Sequence, residues 1–292
     1  MKMWQPVLSL LDAPATSIQI AAAWIVGTAV QNNDKAQMAV LEHKPLPRLL
    51  ELLEHSPDAA VRSKAMYALS AILRHNPAAV QLFQEKGDGW RKLQAALGDP
   101  DISLRRKTAF LINSLLLQDD QSKATTSNSS EAPTTTSQAT GIAPMVAPGA
   151  PTEQLPATQR AGVSHPDVAR ALIESGLLQT LISSILPPPS AKDGWESVTA
   201  YGPDGDQEAR HDIDYAEKAF VAIVNFVHRL QSDGRNLQNV AGEKELNLLR
   251  RAAQELKGKP LDSDGANGAD TRWKEVGLDT QQFGEFERAL QS

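Results

Sequence analysis

The residues able to do chemistry are few and scattered. Six histidines stand at positions 43, 55, 75, 165, 211 and 228, and no two of them share metal-ligand spacing. The run "DSDGANGADTRW" opens like a calcium loop, with Asp262 and Asp264 two apart. Its sixth position is Asn267 instead of glycine, and its twelfth is Trp273 instead of a bidentate glutamate. "PDGDQEARHDIDY" fails the same pattern. The carboxylate pairs Asp119/Asp120 and Asp212/Asp214 read as helix-end or loop charges, not as an acid–base couple. There is no G-x-x-x-x-G-K-[ST] phosphate loop, no G-x-G-x-x-G after a strand and no H-E-x-x-H. The chain has 0 cysteines, so disulfides, thiolate catalysis and cysteine-bound zinc are excluded. The expectation is a protein that is not an enzyme and takes no cofactor and no metal.

What remains is binding chemistry: aromatic, amide and basic side chains at helical spacing. The stretch "AAAWIVGTAVQNNDKAQ", residues 21–37, concentrates it. Trp24 sits among alanines, and the run ends in the amides Gln31, Asn32 and Asn33.

Internal repetition dictates the elements that carry these residues. "IQIAAAWIVGTAVQNND" (18–34), "VRSKAMYALSAILRHNP" (61–77) and "LRRKTAFLINSLLLQDD" (104–120) start 43 residues apart. Trp24, Tyr67 and Phe110 fall on one register. A second series precedes them: "WQPVLSLL" (4–11), "LPRLLELL" (46–53) and "WRKLQAAL" (90–97). The connectors "DAPATS", "EHSPDAA" and "GDPDIS" hold proline and cap-forming Asp or Ser. "NDKAQMAVLEHK" and "NPAAVQLFQEKGD" add a short third helix to each unit. Three helices per unit near a 43-residue period predict an all-α, armadillo-like right-handed α-solenoid, in which each unit buries its stripe only by stacking on neighbours. The composition, 41% hydrophobic and 5% aromatic, suits such packing.

The organisation along the chain follows. Residues 1–120 hold about three units. Residues 121–162, rich in Ser, Thr, Pro and Ala, read as a disordered linker that interrupts the array. Residues 163–230 hold a further unit, begun by a helix capped at Ser164 and interrupted by a 187–212 loop insertion. Within it, Lys218 and Ala219 fall where Lys64 and Ala65 do. Residues 231–292 read as one C-terminal helix and a flexible tail, with "PLDSDGANGADTRW" as loop.

At 100° per residue, Ala22, Ile25, Val26 and Ala29 share one arc, and their counterparts 65, 68, 69, 72 and 108, 111, 112, 115 match. This is the expected core stripe. Nearly opposite lie Trp24, Thr28 and Gln31, then Tyr67, Ala71 and Arg74, then Phe110, Ser114 and Leu117, then Val221, Asn225 and His228. These form an expected ladder of aromatic, small and polar side chains along the concave groove. Aromatics bring contact area at small entropy cost, and Arg74 and the amides bring directional bonds.

The quoted stretch also resembles a known family. "AAWIVGTAVQNNDKAQ" is similar to the "IGTAVQNN" run of the armadillo-type nucleotide exchange factors of heat-shock protein 70, the Fes and heat-shock-protein-70-binding-protein family. "MKMWQPVL" (1–8) and "VRSKAMYALSAILRHNP" (61–77) resemble two further segments of that family. The resemblance covers roughly residues 1–118, and more weakly 163–230. It implies a co-chaperone without catalytic residues, whose solenoid grips one lobe of the chaperone ATPase domain and promotes ADP release. The partner-binding residues expected on the concave face are Trp24, Gly27, Thr28, Gln31, Asn32, Asn33, Tyr67, Ser70, Arg74, Phe110, Ser114, Asn225 and His228. Gly27, Thr28, Gln31, Asn32 and Asn33 are carried over from the matched motif.

The family has further residues ahead of its "MKLW"-like segment, whereas here Met1 opens directly on it. The first repeat is therefore expected to expose an apolar end, and substrate release by a preceding segment is not implied. With 29 basic and 35 acidic residues the net charge is −6, which argues against nucleic acid as partner. No stretch approaches membrane-spanning length, and the N-terminus makes a poor secretory signal. A cytoplasmic monomer is expected. The alternative is an armadillo scaffold binding an extended peptide or another protein in its groove. Peptide-binding adaptors of that type repeat a Trp and an Asn in each long helix, and here only Trp24 and Asn225 survive, in different repeats.

Overall fold

The computed structural model describes residues 3–86, 88–127, 165–187, 207–261 and 270–291. The expected linker and insertion lie largely outside these residues, as do Ser164, Asp262 and Asp264. The described chain forms α1 (Trp4–Ser9), a 3-10 turn (Leu10–Asp12), α2 (Thr16–Val30), α3 (Asp34–Leu41), α4 (Pro45–His55) and α5 (Ala59–Leu73). Then come α6 (Pro77–Lys86), α7 (Gly89–Leu97), α8 (Ile102–Ser127), α9 (Val168–Glu174) and α10 (Leu177–Ser183). The remainder is α11 (Gln207–His211), α12 (Ile213–Ser232), α13 (Leu237–Val240), α14 (Glu243–Lys257), α15 (Arg272–Glu275) and α16 (Thr280–Gln291).

The helices stack as repeats in two layers. The long helices α2, α5, α8, α12 and α16 pack each on the next, and behind them α4, α7, α10 and α14 do the same. Three-helix units recur as α3–α4–α5, α6–α7–α8 and α9–α10–α12, the expected all-α solenoid. Two expectations need correction. The 231–292 segment is not a helix and tail: α14 packs on α10 and α16 packs on α12, so it completes another unit. Phe283, Phe286 and Leu290, spaced three and four apart, supply the buried stripe of α16. Helix α8 also continues to Ser127, seven residues past the expected end of the repeats at 120.

Local chemistry sets each break between helices. Asp58 accepts the Ala60 and Val61 N–H groups at 2.8 and 3.4 Å to start α5. Asp167 starts α9 by accepting the Arg170 N–H at 2.9 Å. Left-handed backbone recurs at matching places. Asn32 (φ 54°) and His75 (φ 57°) follow α2 and α5, and Lys44 (φ 52°) and Asp88 (φ 49°) precede α4 and α7. The sharp turns are therefore written into the repeat, not into one loop.

The core stripe holds in the interior units, where Ala65, Ala68, Leu69 and Ile72, then Thr108, Leu111, Ile112 and Leu115, are buried. In α2 it does not. Ala22 and Val26 are buried, but Ile25 is 50% exposed and Ala29 is exposed. Helix α2 is the first long helix, and among the described residues only α1 and the 3-10 turn precede it and pack on it. Met3, Leu10 and Ile18 are exposed as well.

The unit α9–α10–α12 docks on α7 and α8. Arg106 of α8 donates to Asp212 Oδ1 at 2.9 Å and also pairs with Oδ2, and Asp212 in turn caps α12 through the Tyr215 N–H at 2.7 Å. Asn225 Nδ2 donates to Asn113 Oδ1 at 2.7 Å, and Gln94 Nε2 to Thr180 Oγ1 at 3.0 Å. The stack therefore continues from α7 and α8 into α10 and α12.

Candidate functional site

The exposed face of the long-helix layer carries the aromatic ladder. Trp24 on α2 is 56% exposed and Phe110 on α8 is 45% exposed, while Tyr67 between them is half-buried. Single exposed rings are ordinary, whereas rings on successive packed helices form the contiguous surface that marks contact area. Cations sit over the rings. Lys64 Nζ lies 5.1 Å from the Trp24 centroid and 5.7 Å from that of Tyr67, and the Arg74 guanidinium lies 5.8 Å from Phe110. The Tyr67 hydroxyl donates to Gln31 Oε1 at 3.0 Å and stands 3.5 Å from Thr28 Oγ1. Trp24, Thr28, Gln31, Tyr67, Arg74 and Phe110 thus form one linked surface across α2, α5 and α8.

Other expected members do different work. Gly27 is buried, not part of the contact face. A Cβ there would stand 2.5 Å from two Tyr67 ring carbons and 3.2 Å from the Ala68 Cα. Its role is to let α5 approach α2 and seat the Tyr67 ring. Asn32 and Asn33 are exposed but shape the chain. Asn32 takes the left-handed conformation that asparagine tolerates, and Asn33 Oδ1 accepts the Ala36 N–H at 3.0 Å to cap α3. Ser70 is half-buried, and its carbonyl accepts the Arg74 N–H at 3.1 Å, closing α5. Ser114 donates to Phe110 O at 2.9 Å, within its own helix. Ala71 of the expected ladder is buried.

Asn225 and His228 belong to a separate recess between α12 and α16, with Gln231, Gln282 and Glu285 around Phe286. The α16 half of that recess lay in the segment read as tail. Asn225 is committed to Asn113, which further weakens the peptide-scaffold reading.

Three contributors escaped sequence reading. Gln37, the last residue of the quoted stretch, is 4% exposed, and its Nε2 donates to Ala71 O at 2.7 Å and to Arg74 O at 3.0 Å. It closes the α5 terminus that presents Arg74, satisfying carbonyls that a helix end leaves without partners. Lys64 and Lys107 stand three residues ahead of Tyr67 and Phe110, and Lys107 donates to Ser63 Oγ. Burial lowers the Lys107 pKa, Asp101 opposes the shift and the like charge of Lys64 adds to it. Among the described residues no three His, Asp or Glu converge as a metal site.

This geometry defines a helical-repeat protein with a linked aromatic and basic contact surface on its long-helix face. The profile of the SIL1/FES1/HPBP1 C-terminal domain matches residues 1–142. An "Hsp70 nucleotide exchange factor FES1" of Mycosarcoma maydis is 48% identical over 297 residues, spanning 99% of this chain and 73% of the relative. One of Schizosaccharomyces pombe is 30% identical over 123 residues, 42% of this chain and 43% of its own length. An engineered protein of known structure aligns over 100% of this chain and 98% of its own at TM-score 0.50 and 16% identity, a likeness of fold alone. The chain belongs to the SIL1/FES1/HPBP1 family.

Proposed function

We propose that this protein is a nucleotide exchange factor for cytosolic heat-shock protein 70. It holds the chaperone's ATPase domain on the concave face of the long-helix layer and promotes ADP release. The observation that carries this reading is the ladder Trp24–Tyr67–Arg74–Phe110, with Trp24 and Phe110 exposed and Tyr67 and Arg74 half-buried between them, in a chain whose relatives bear the name Hsp70 nucleotide exchange factor. No bond is made or broken by this protein in the process. The work is differential binding: the solenoid grips the nucleotide-binding lobes more tightly when they are apart than when they are closed on ADP. Reversing a ratio of about 99:1 toward closed takes about 5.5 kcal/mol of such preference. Two or three aromatic or arginine anchors of about 2 kcal/mol each are of that size.

The protein acts as a cytoplasmic monomer, without enzymatic activity, and binds neither nucleic acid nor membrane. Its net charge of −6 supports the former, and no described helix is long and apolar enough to cross a membrane. The test is release of fluorescent ADP from the purified chaperone. Acceleration of about tenfold or more is expected, a change of about 1.4 kcal/mol in the barrier. No acceleration at saturating protein refutes the proposal.

A further inference from the structure

The basic residues of this chain divide by position. Several of those away from the ladder are paired with carboxylates, while Arg250 bonds an amide and Lys218 and Arg288 bond carbonyls of their own helices. Arg62 meets Asp99 at 2.7 Å, Lys92 meets Glu54 at 2.6 Å, Arg91 meets Glu54 at 3.0 Å and Arg210 meets Glu255 at 2.6 Å. On the ladder the cations lie over rings or bond a neutral group. Lys64 rests over Trp24 and Tyr67, Lys107 bonds only the neutral Ser63 hydroxyl, and Arg74 lies over Phe110 with its buried Nε unpartnered. None of the three pairs with a carboxylate among the described residues.

Lys64 and Lys107 are like charges facing one another across α5 and α8, and Asp101 is near enough to Lys107 to oppose that repulsion without bonding it. In a chain with 35 acidic residues, neutralising these cations internally would be simple. They are instead left open in the midst of the contact aromatics. An ion pair completed there by a partner would be shielded by the rings from water, where charge pairing is strongest.

We infer that Lys64, Lys107 and Arg74 form a seat for carboxylate side chains of the protein partner, with Trp24, Tyr67 and Phe110 supplying the surrounding contact area. This rests on the proposed function and adds the chemistry by which the ATPase domain is recognised. An acidic surface patch on the domain, not its bound nucleotide, enters the seat.

The experiment measures affinity of the full chain for the isolated ATPase domain from about 50 to about 500 mM KCl, where screening rises steeply. The wild type is expected to weaken with salt. Lys64→Gln/Lys107→Gln is expected to bind at least about tenfold more weakly at low salt and to respond less to it. Lys64→Arg/Lys107→Arg should restore binding, and the exposed Lys244→Gln should change nothing, with thermal melts alike throughout. Unchanged affinity in the glutamine variant, while wild type still accelerates ADP release, overturns the seat alone. Absence of any binding by the wild type overturns both the seat and the proposed function. Displacement of the domain by inorganic phosphate beyond its ionic-strength effect overturns the assignment to carboxylates.

Discussion

Replacing Gln37 by leucine removes two hydrogen bonds while nearly conserving volume. The side chain is 4% exposed, so the change is felt in the interior. Its Nε2 serves Ala71 O at 2.7 Å in a buried position and Arg74 O at 3.0 Å in a half-buried one. Leaving a buried acceptor without a donor costs about 1–3 kcal/mol. The Ala71 carbonyl bears that in full, and the Arg74 carbonyl recovers part of it from water. The expected loss is about 2–4 kcal/mol, a large share of the roughly 5–15 kcal/mol that stabilises a domain. Urea unfolding followed by circular dichroism measures it. Hydrogen exchange should place the loosening in α3 and the last turn of α5, because those are what Gln37 joins. Arg74, just past that turn, would lose its fixed place over Phe110, so affinity for the ATPase domain should also fall. A loss under about 0.5 kcal/mol, or loosening spread evenly over the array, would refute the reasoning.

Gly27→Ala drives a methyl into the Tyr67 ring and against the α5 backbone, and overpacking of this kind should cost about 1–3 kcal/mol in thermal unfolding. Tyr67→Phe removes the 3.0 Å bond to Gln31 and keeps the ring, so a loss of about 0.5–1.5 kcal/mol is expected, with most of the affinity for the partner retained. At Asp212, burial raises the carboxyl pKa, but Arg106 and the Tyr215 N–H lower it further, for a net decrease. Its contribution to stability is therefore complete above the unfolded value of about 3.9 and disappears as pH falls through the lower folded value. Asp212→Asn should cost about 1 kcal/mol at pH 7, since Arg106 is 34% exposed, and the difference from wild type should vanish in strong acid.

The repeat was legible because stacking demands the same apolar register in each unit, and Ala65, Leu69 and Ile72 keep it against Thr108, Ile112 and Leu115. The face opposite the stripe was legible in part: Trp24, Thr28, Phe110 and His228 are exposed, whereas Tyr67, Arg74 and Asn225 are half-buried and Ala71 is buried. What failed depended on neighbours. Gly27 lies in the same motif as Thr28, and only the Tyr67 ring lying on it makes it a packing residue. Ile25 has the polarity of a core residue, yet on α2, the first long helix, it is 50% exposed where its counterparts Ala68 and Leu111 are buried. Gln37 has the polarity of a surface residue, and its burial follows from carbonyls 34 and 37 residues away. Helix α16 repeats the apolar spacing of a long helix, yet residues 258–279 separate it from α14 and break the period that made the earlier units visible.

The most direct test of the contact face is ADP release from heat-shock protein 70 in the presence of Trp24→Ala/Phe110→Ala. Both side chains are about half exposed, so the variant should melt within a few degrees of wild type. Loss of two exposed anchors predicts a rise of about tenfold or more in the concentration needed for half-maximal acceleration. An unchanged half-maximal concentration in the folded variant would contradict the assignment of the ladder as the surface that holds the chaperone.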